Sequence, residues 1–296
     1  MDITVWLCIA VLLGVCGYSC QSTSVRDKTH GLHGEETITP EPTSISNPVS
    51  LAILSAAPEG MVLIPTTTFV PGCQPVPAQD CPSNLQNSDP VTVEAFYIDR
   101  YEVSVGKYAA CVKDGTCNLP KLSYDMRTRP QLTYGSPQSD QNLMPINGVT
   151  WEQSQAYCMW IGKRLPTALE WELAARGQDA ELYPWGDNQG NCKHAVIARG
   201  PDSLHSQSCS VDSPQPSGSR PSDTSSWGIA DMAGNVSEWT QTSYPSSALR
   251  VYVVKGGSFV SSSRELALYQ QTLVSGRSAS STTGFRCAKS LEGETL

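Results

Sequence analysis

The segment WGIADMAGNVSEW, residues 227–239, holds the side chains best suited to bind a metal ion. Its thirteen residues include two tryptophans, the adjacent pair Gly234 and Asn235, and the carboxylates Asp231 and Glu238. A Gly-Asn pair favours a tight turn with positive φ, which a helix interior accommodates only at a cost. We therefore predict a loop that folds back on itself and is fixed at both ends by indoles. It is called the central loop below.

In such a loop the two carboxylates would converge with the backbone carbonyls of Gly234 and Val236. A donor set made only of oxygen suits a hard cation, and calcium accepts carboxylates and carbonyls in flexible geometry. The residue spacing is not that of an EF-hand. The alternative interpretation is structural: Asp231 and Glu238 cap turns, and the two tryptophans fill the core.

Cysteines are the second chemically distinctive group. The chain has 11 Cys, of which Cys8, Cys16 and Cys20 lie near the N-terminus, so 11 − 3 leaves 8. That even number allows up to four disulfides in an oxidising compartment, and because no Cys-x-x-Cys occurs, no thioredoxin-like site or zinc knuckle is indicated. Proximity along the chain predicts three local pairs: Cys73 with Cys81, Cys111 with Cys117, and Cys192 with Cys209.

The elements that must position these residues can be outlined from helix and strand signals. Two capping boxes, Thr150 with Gln153 and Thr167 with Glu170, predict consecutive helices that each end at a glycine. Ser104 is placed to cap a third, short helix. Apolar, β-branched and aromatic runs predict strands at 61–64, 91–98 and 251–259.

Composition limits the class of protein. The 296 residues include 39% hydrophobic residues, 23 Gly and 21 Pro, which predicts a loop-rich α+β fold with a real core. The net charge is −8, and no basic run is present. A nucleic-acid partner is therefore not expected.

Residues 1–20 have the pattern of a signal peptide or lipoprotein leader. The apolar run at 3–16 is short for a membrane span and suits a signal-peptide core, although Asp2 stands where a basic residue is usual. Gly17 and Ser19 precede Cys20 as in a loosened lipobox, which makes Cys20 a candidate for lipidation and membrane tethering. Cleavage without lipidation and an uncleaved anchor remain alternatives. Residues 21–56, rich in Ser, Thr and Pro, predict a flexible tether.

The central loop also carries a family resemblance. GIADMAGNVSEW resembles the signature of the formylglycine-generating enzyme family, also called the sulfatase-modifying factor domain, and six further motifs follow the family's order. The resemblance spans residues 57–290 and implies a single, disulfide-stapled domain with a C-type-lectin-like fold. The six are GMVLIP (60–65), FYIDRYEVSVGKYAACV (96–112), PINGVTWEQSQAYCMWIGKRLPTALEWELAARG (145–177), YPWGDN (183–188), VVKGGSF (253–259) and GFRC (284–287).

The resemblance implies specific covalent and metal features. In this family the cysteine of the AYC helix pairs with that of GFRC, here Cys158 with Cys287. The calcium site predicted from the donor set of the central loop consists of Asp231, Gly234, Val236 and Glu238. In the family the region that corresponds to Asn191 contributes to a second calcium site, and the resemblance implies the side chain of Asn191 and the carbonyl of Cys192 as its ligands.

The catalytic positions depart from the family pattern. Active members bind copper(I) with two cysteines and oxidise a cysteine of a sulfatase. The corresponding positions are Ser261 and Leu266, and no cysteine lies between Cys209 and Cys287. Thiolates select copper(I), whereas a hydroxyl or an alkyl group does not. Copper and formylglycine-generating activity are therefore not expected.

Two functional hypotheses remain. The first is an exported, non-catalytic, calcium-stabilised binding or accessory module, monomeric, whose partner is an extracytoplasmic protein or a small molecule. It would be periplasmic, a cell-envelope lipoprotein or secreted. The second is a metal- or O2-dependent oxidoreductase with an unrecognised site, because other relatives without the cysteine pair are oxidoreductases. The sequence has four His, two of them in the predicted tether, too few for a convincing three-histidine iron site.

Overall fold

The structure is a computed structural model that describes residues 57–73, 89–122, 132–136, 140–177, 181–188, 190–198, 212–245 and 250–291. The predicted leader (1–20), which includes Cys20, and the predicted tether (21–56) lie outside these residues, as do Cys81 and Cys209. The described residues belong to one compact unit, Ile53–Leu296. Within them, no helix is both long and apolar enough to cross a membrane.

Three α-helices and nine short strands form the described part of the domain, joined by long loops. The helices are α1 (Val105–Asp114), α2 (Trp151–Trp160) and α3 (Ala168–Arg176), with 3-10 turns at Gln141–Leu143 and Ser263–Leu266. The strands are β1 (Met61–Ile64), β2 (Thr67–Phe69), β3 (Val91–Val93), β4 (Phe96–Asp99), β5 (Ser237–Pro245), β6 (Arg250–Lys255), β7 (Gln271–Ser275), β8 (Thr283–Gly284) and β9 (Ala288–Ser290).

The strands form three small sheets. Their orders are β1-β4-β9, β2-β3 and β7-β6-β5-β8. All pairs are antiparallel except β5 with β8, which is parallel. Helix α3 packs against β5 and β6. This mixed, loop-rich α+β architecture is the predicted fold class.

The helix boundaries agree with the sequence signals. The hydroxyls of Thr150 and Thr167 accept the N–H of Gln153 and Glu170, and both capping boxes are complete. Helix α1 begins after its cap, Ser104, and is closed by Gly115 in the left-handed region, with φ of 85°. Because these signals are local in sequence, they needed no knowledge of tertiary packing.

Two predicted strands differ from the structure. The run at 91–98 is divided into β3 and β4, because β3 pairs with β2 while β4 pairs with β1 and β9. Thr66 holds the segment between β3 and β4 in place, because its hydroxyl donates to Glu94 and accepts the N–H of Ala95. The run at 251–259 leaves the ladder after Lys255, where Gly256 has φ of 76° and lies against Trp171.

Two hydrophobic clusters lie within the described residues. The first surrounds Trp171 and includes Phe96, Met232 and Leu266. The second surrounds Tyr108 and includes Trp239 and Phe285. The central loop contributes Met232 to the first cluster and Trp239 to the second, so it anchors both.

Two disulfides are formed between described cysteines. Cys158 on α2 is bonded to Cys287, 129 residues further along the chain, and Cys111 is bonded to Cys117 across the end of α1. Both pairs were predicted. Cys73 and Cys192 are disulfide-bonded as well, but their predicted partners lie outside the described residues.

Candidate functional site

The central loop is a buried turn, as predicted. Asp231 and Asn235 adopt φ of 58° and 65°, the positive-φ non-glycine residues among those described. Gly234 is required for a different reason from the one its sequence suggests. A Cβ at Gly234 would lie 2.6 Å from the carbonyl oxygen of Val196, so the position needs a small residue because the backbones approach closely.

Glu238 lies at the centre of the site and is fully buried. Its Oε1 accepts Arg286 Nη2 at 2.6 Å, and its Oε2 accepts Arg286 Nε at 2.8 Å and Trp171 Nε1 at 2.9 Å. Arg286, which is also fully buried, donates further to the carbonyl oxygen of Ala230 at 2.9 Å. This bidentate pair thus fixes α3, the central loop and the GFRC motif to one another.

Asp231 has one satisfied and one unsatisfied oxygen. Its Oδ2 accepts the N–H of Gly218 at 2.5 Å, whereas its Oδ1 is buried without a hydrogen-bond partner. Burial raises the pKa of Asp231 to about 6, even though the N–H of Gly218 and the charge of Arg286 act to lower it. A buried acceptor without a hydrogen-bond partner costs free energy, and binding of a proton or a cation would offset that cost.

Two further buried carboxylates surround the loop, and the sequence argument did not identify either of them. Asp223 accepts the N–H groups of Ala233 at 2.8 Å and Gly234 at 3.0 Å. Glu102 accepts Asn235 Nδ2 at 2.9 Å. Glu102 belongs to the FYIDRYEVSV motif, so the motif marked its segment, whereas Asp223 lies in a polar loop without any local signal.

Burial dominates the electrostatics of both groups. It raises the pKa of Asp223 to about 8, with the charge of Asp231 adding to the effect. It also raises the pKa of Glu102 well above its ordinary value, assisted by the charges of Asp231 and Glu238. Arg286 is the buried cation that opposes these shifts. The site therefore carries more carboxylate than its guanidinium can neutralise, which favours bound protons or a bound cation.

The donors fit a calcium ion only in part. The unsatisfied Oδ1 of Asp231 suits a hard cation, but both oxygens of Glu238 are engaged by Arg286 and Trp171. Within the described ranges, no cluster of three or more His, Cys, Asp or Glu side chains is placed to hold a metal ion. A calcium ion here would need the carbonyls of Gly234 and Val236, and it would compete with Arg286 for Glu238. Calcium stays a prediction.

The second predicted calcium site has a different environment. The Oδ1 of Asn191 accepts the N–H of Lys193 at 2.9 Å, and its carbonyl accepts the N–H of His194 at 2.9 Å. The carbonyl of Cys192 accepts Nε of Arg220 at 3.3 Å. These oxygens already serve the local turn and an arginine, so the structure adds no support for a cation at this place.

Ser261 and Leu266, which the family resemblance aligns with copper-binding cysteines, both lie next to Gly257. A Cβ at Gly257 would be 3.0 Å from Leu266 Cδ2 and 3.3 Å from Ser261 Cβ. Leu266 is fully buried in the first hydrophobic cluster. The Oγ of Ser261 accepts the N–H of Ser258 at 3.1 Å and closes a turn. The side chains at these two positions therefore serve packing and turn formation.

A second buried ion cluster was also missed by the sequence argument. Glu172 on α3 pairs with Lys255 Nζ at 2.9 Å and with Arg176 Nε at 3.0 Å, and it accepts the N–H of Gly72 at 2.8 Å. Burial acts to raise the pKa of Glu172, but Lys255 and Arg176 outweigh it and lower the pKa. The cluster fixes α3 to β6 and to the segment before Cys73, a structural role.

Fold, central loop and disulfides together define a domain of the sulfatase-modifying type. The sulfatase-modifying factor enzyme 1-like domain family matches residues 53–291, and the chain belongs to this family. The structure of PvdO from Pseudomonas aeruginosa superposes with a TM-score of 0.63 at 22% identity, over 78% of this chain and 94% of PvdO. At that identity the likeness concerns the fold alone.

The similar proteins include active and inactive members. The mouse (Mus musculus) protein named inactive C-alpha-formylglycine-generating enzyme 2 is 27% identical, over 85% of this chain and 95% of its own. Mouse formylglycine-generating enzyme is 28% identical, over 94% and 87%. Hercynine oxygenase from Mycolicibacterium thermoresistibile is 31% identical, over 61% and 43%. Because the sequence identities are similar for proteins with different named activities, the activity of this chain must be inferred from its site residues.

Proposed function

We propose that this chain is a non-catalytic member of the family that serves as a binding or accessory module in an oxidising compartment. The observation that carries the proposal is the state of the paired positions: Leu266 is fully buried in the core, and the hydroxyl of Ser261 accepts a backbone N–H. Copper(I) requires soft ligands. Neither side chain supplies one.

An extracytoplasmic location is part of this proposal. The Cys158–Cys287 and Cys111–Cys117 disulfides form and persist in oxidising compartments. The leader-like residues 1–20 and the candidate lipidation site Cys20 supply a route to the periplasm, the envelope or the exterior. The net charge of −8 favours a protein or small-molecule partner over a nucleic acid.

Calcium is the cofactor we propose, in a structural role. The support is the surplus of buried carboxylate and the unsatisfied Oδ1 of Asp231. Asp231, the carbonyls of Gly234 and Val236, and Glu238 would hold the ion. Bound there, calcium would supply positive charge that stabilises the turn and takes no part in a reaction.

The test of the non-catalytic proposal is a turnover assay on the full chain. The purified protein is incubated with copper(I), O2 and a sulfatase peptide that carries the target cysteine, and loss of the thiol is followed by mass spectrometry. We expect no aldehyde. Formation of aldehyde by the unmodified chain would overturn the proposal. The variant Ser261→Cys with Leu266→Cys, assayed for copper(I) binding, tests whether the missing thiolates are the cause.

A second candidate function is an oxidoreductase with another metal. The similarity to hercynine oxygenase favours it, since that protein's name states an oxygenase activity. The sequence offers four His for an iron site, and of these only His194 lies in the described residues, where its ring stacks on Trp185 at 5.0 Å. Stoichiometric iron in the purified chain would favour this candidate over the first.

A further inference from the structure

Residues Asn235, Val236 and Ser237 form the triplet Asn-x-Ser, an acceptor pattern for Asn-linked glycans. It is the one Asn-x-Ser/Thr triplet in the 296-residue sequence. Such triplets ordinarily lie in surface loops, because the attached oligosaccharide is bulky and hydrated. Here the triplet lies in the central loop instead.

Asn235 is fully buried and bonded through all of its polar side-chain atoms. Its Oδ1 accepts the N–H of Gln215 at 2.9 Å. Its Nδ2 donates to Glu102 Oε2 at 2.9 Å and to the carbonyl oxygen of Gln215 at 3.2 Å. Its own carbonyl accepts the N–H of Phe259 at 2.8 Å, so both the backbone and the side chain are fixed.

The chemistry of glycan transfer conflicts with these contacts. Nδ2 attacks the anomeric carbon of a lipid-pyrophosphate-linked oligosaccharide, an N–C bond forms, the C–O bond to pyrophosphate breaks, and Nδ2 loses one proton. The product amide retains a single N–H in place of two. One of the bonds to Glu102 and Gln215 must be lost, and a sugar must occupy its place beside a carboxylate that is itself 2% exposed.

We propose that Asn235 is a modification site only in the unfolded chain, and that a glycan at Asn235 and the native central loop exclude one another. A chain modified before folding would lose the contact of Asn235 Nδ2 with Glu102 or with Gln215, and with it the turn that these contacts hold. A chain that has folded presents no accessible acceptor. This inference does not depend on whether the domain is catalytic.

The inference bears on where the chain folds. Asn-linked transfer in the eukaryotic secretory pathway acts on chains as they enter the lumen, before folding is complete. The modified fraction would then be unable to fold. In such a compartment, modification of Asn235 would therefore compete with folding.

The test compares folded and unfolded chains in vitro. The full chain is incubated with an oligosaccharyltransferase that accepts Asn-x-Ser and with its lipid-linked donor, either native or reduced and unfolded in urea and then diluted. Glycosidase-sensitive mass is measured. We expect the unfolded chain to be modified at Asn235 and the native chain to be modified at least tenfold less. Equal modification of both forms would overturn the proposal.

Matched variants at Ser237 separate acceptor quality from burial. Ser237→Thr preserves the triplet as a better acceptor, and Ser237→Ala removes it. Unfolded Ser237→Thr should be modified and native Ser237→Thr should resist. Ser237→Ala should be inert in both forms. Two results would contradict the inference: modification of native Ser237→Thr with an unchanged melting temperature, and failure of unfolded Ser237→Thr to be modified.

Discussion

At the scale of single residues, Glu238 holds the site together through a buried ion pair with Arg286. Removing one partner of a buried pair strands the other charge in the interior, which costs about 3–5 kcal/mol. We predict that Glu238→Gln lowers the free energy of unfolding by about this amount in urea titrations. Glu59→Gln, at an exposed carboxylate, is the control and should leave the midpoint unchanged. An unchanged midpoint in Glu238→Gln would show that the pair does not form.

The pKa of Asp223 gives a pH dependence with a definite sign. Burial raises this pKa from 3.8 to about 8, so between these values the folded state retains a proton that the unfolded state has released. Stability therefore falls as the pH rises through that window, and Asp231 adds to the fall below about pH 6. We predict that the melting temperature without calcium decreases from pH 5 to pH 8, and that Asp223→Asn flattens the slope.

The pH measurement also bears on the cation. If calcium takes the place of the protons, adding it should raise the melting temperature more at pH 8 than at pH 5. Asp231→Asn should abolish most of that gain. A calcium response that is equal in Asp231→Asn and in the parent chain would remove Asp231 from the site.

At the scale of elements, the helix ends could be predicted from local sequence signals, whereas a strand boundary that depends on long-range pairing could not. The caps at Ser104, Thr150 and Thr167 could be predicted from sequence because each acts within one turn of its helix. The division between β3 and β4 could not, because it follows from pairing with β2 and β1, which are distant in sequence. Strand boundaries depend on partners that the chain pattern does not name.

In the site, too, local features could be predicted from sequence and long-range contacts could not. The family motifs located the central loop, and the structure shows that Asp231 and Glu238 are both buried there. The motifs did not predict that Arg286 donates hydrogen bonds to both carboxylate oxygens of Glu238. Asp223 carries no local signal, and its role depends on two backbone N–H groups ten and eleven residues further along the chain.

The disulfides allow a matched comparison between elements. By the chain-entropy argument, the Cys158–Cys287 bond closes 129 residues and stabilises by about 5 kcal/mol, whereas Cys111–Cys117 closes 6 and stabilises by about 2 kcal/mol. We predict that Cys158→Ala with Cys287→Ala lowers stability more than Cys111→Ala with Cys117→Ala in urea titrations under oxidising conditions. Equal losses would show that native-state strain or packing outweighs loop length.

At the scale of the whole molecule, the chain has the fold of the sulfatase-modifying factor family, and we propose that its reactive positions are replaced. Ser261 and Leu266 both lie next to Gly257. If they occupy the family's cysteine positions, as the resemblance implies, the substitution of two side chains is enough to remove the copper ligands. We predict that Ser261→Cys with Leu266→Cys gains copper(I) affinity, measured by competition with a chelator, whereas either single variant gains much less, because one thiolate is a poor copper(I) site.

The measurement that most directly tests the central claim is elemental analysis of the full chain, purified from an oxidising compartment without added metal. We predict copper and iron far below stoichiometry, with calcium as the one metal near one equivalent. Stoichiometric copper or iron would contradict it, because a tightly held redox metal would mean that a catalytic centre exists outside the paired positions. The oxidoreductase candidate would then take precedence.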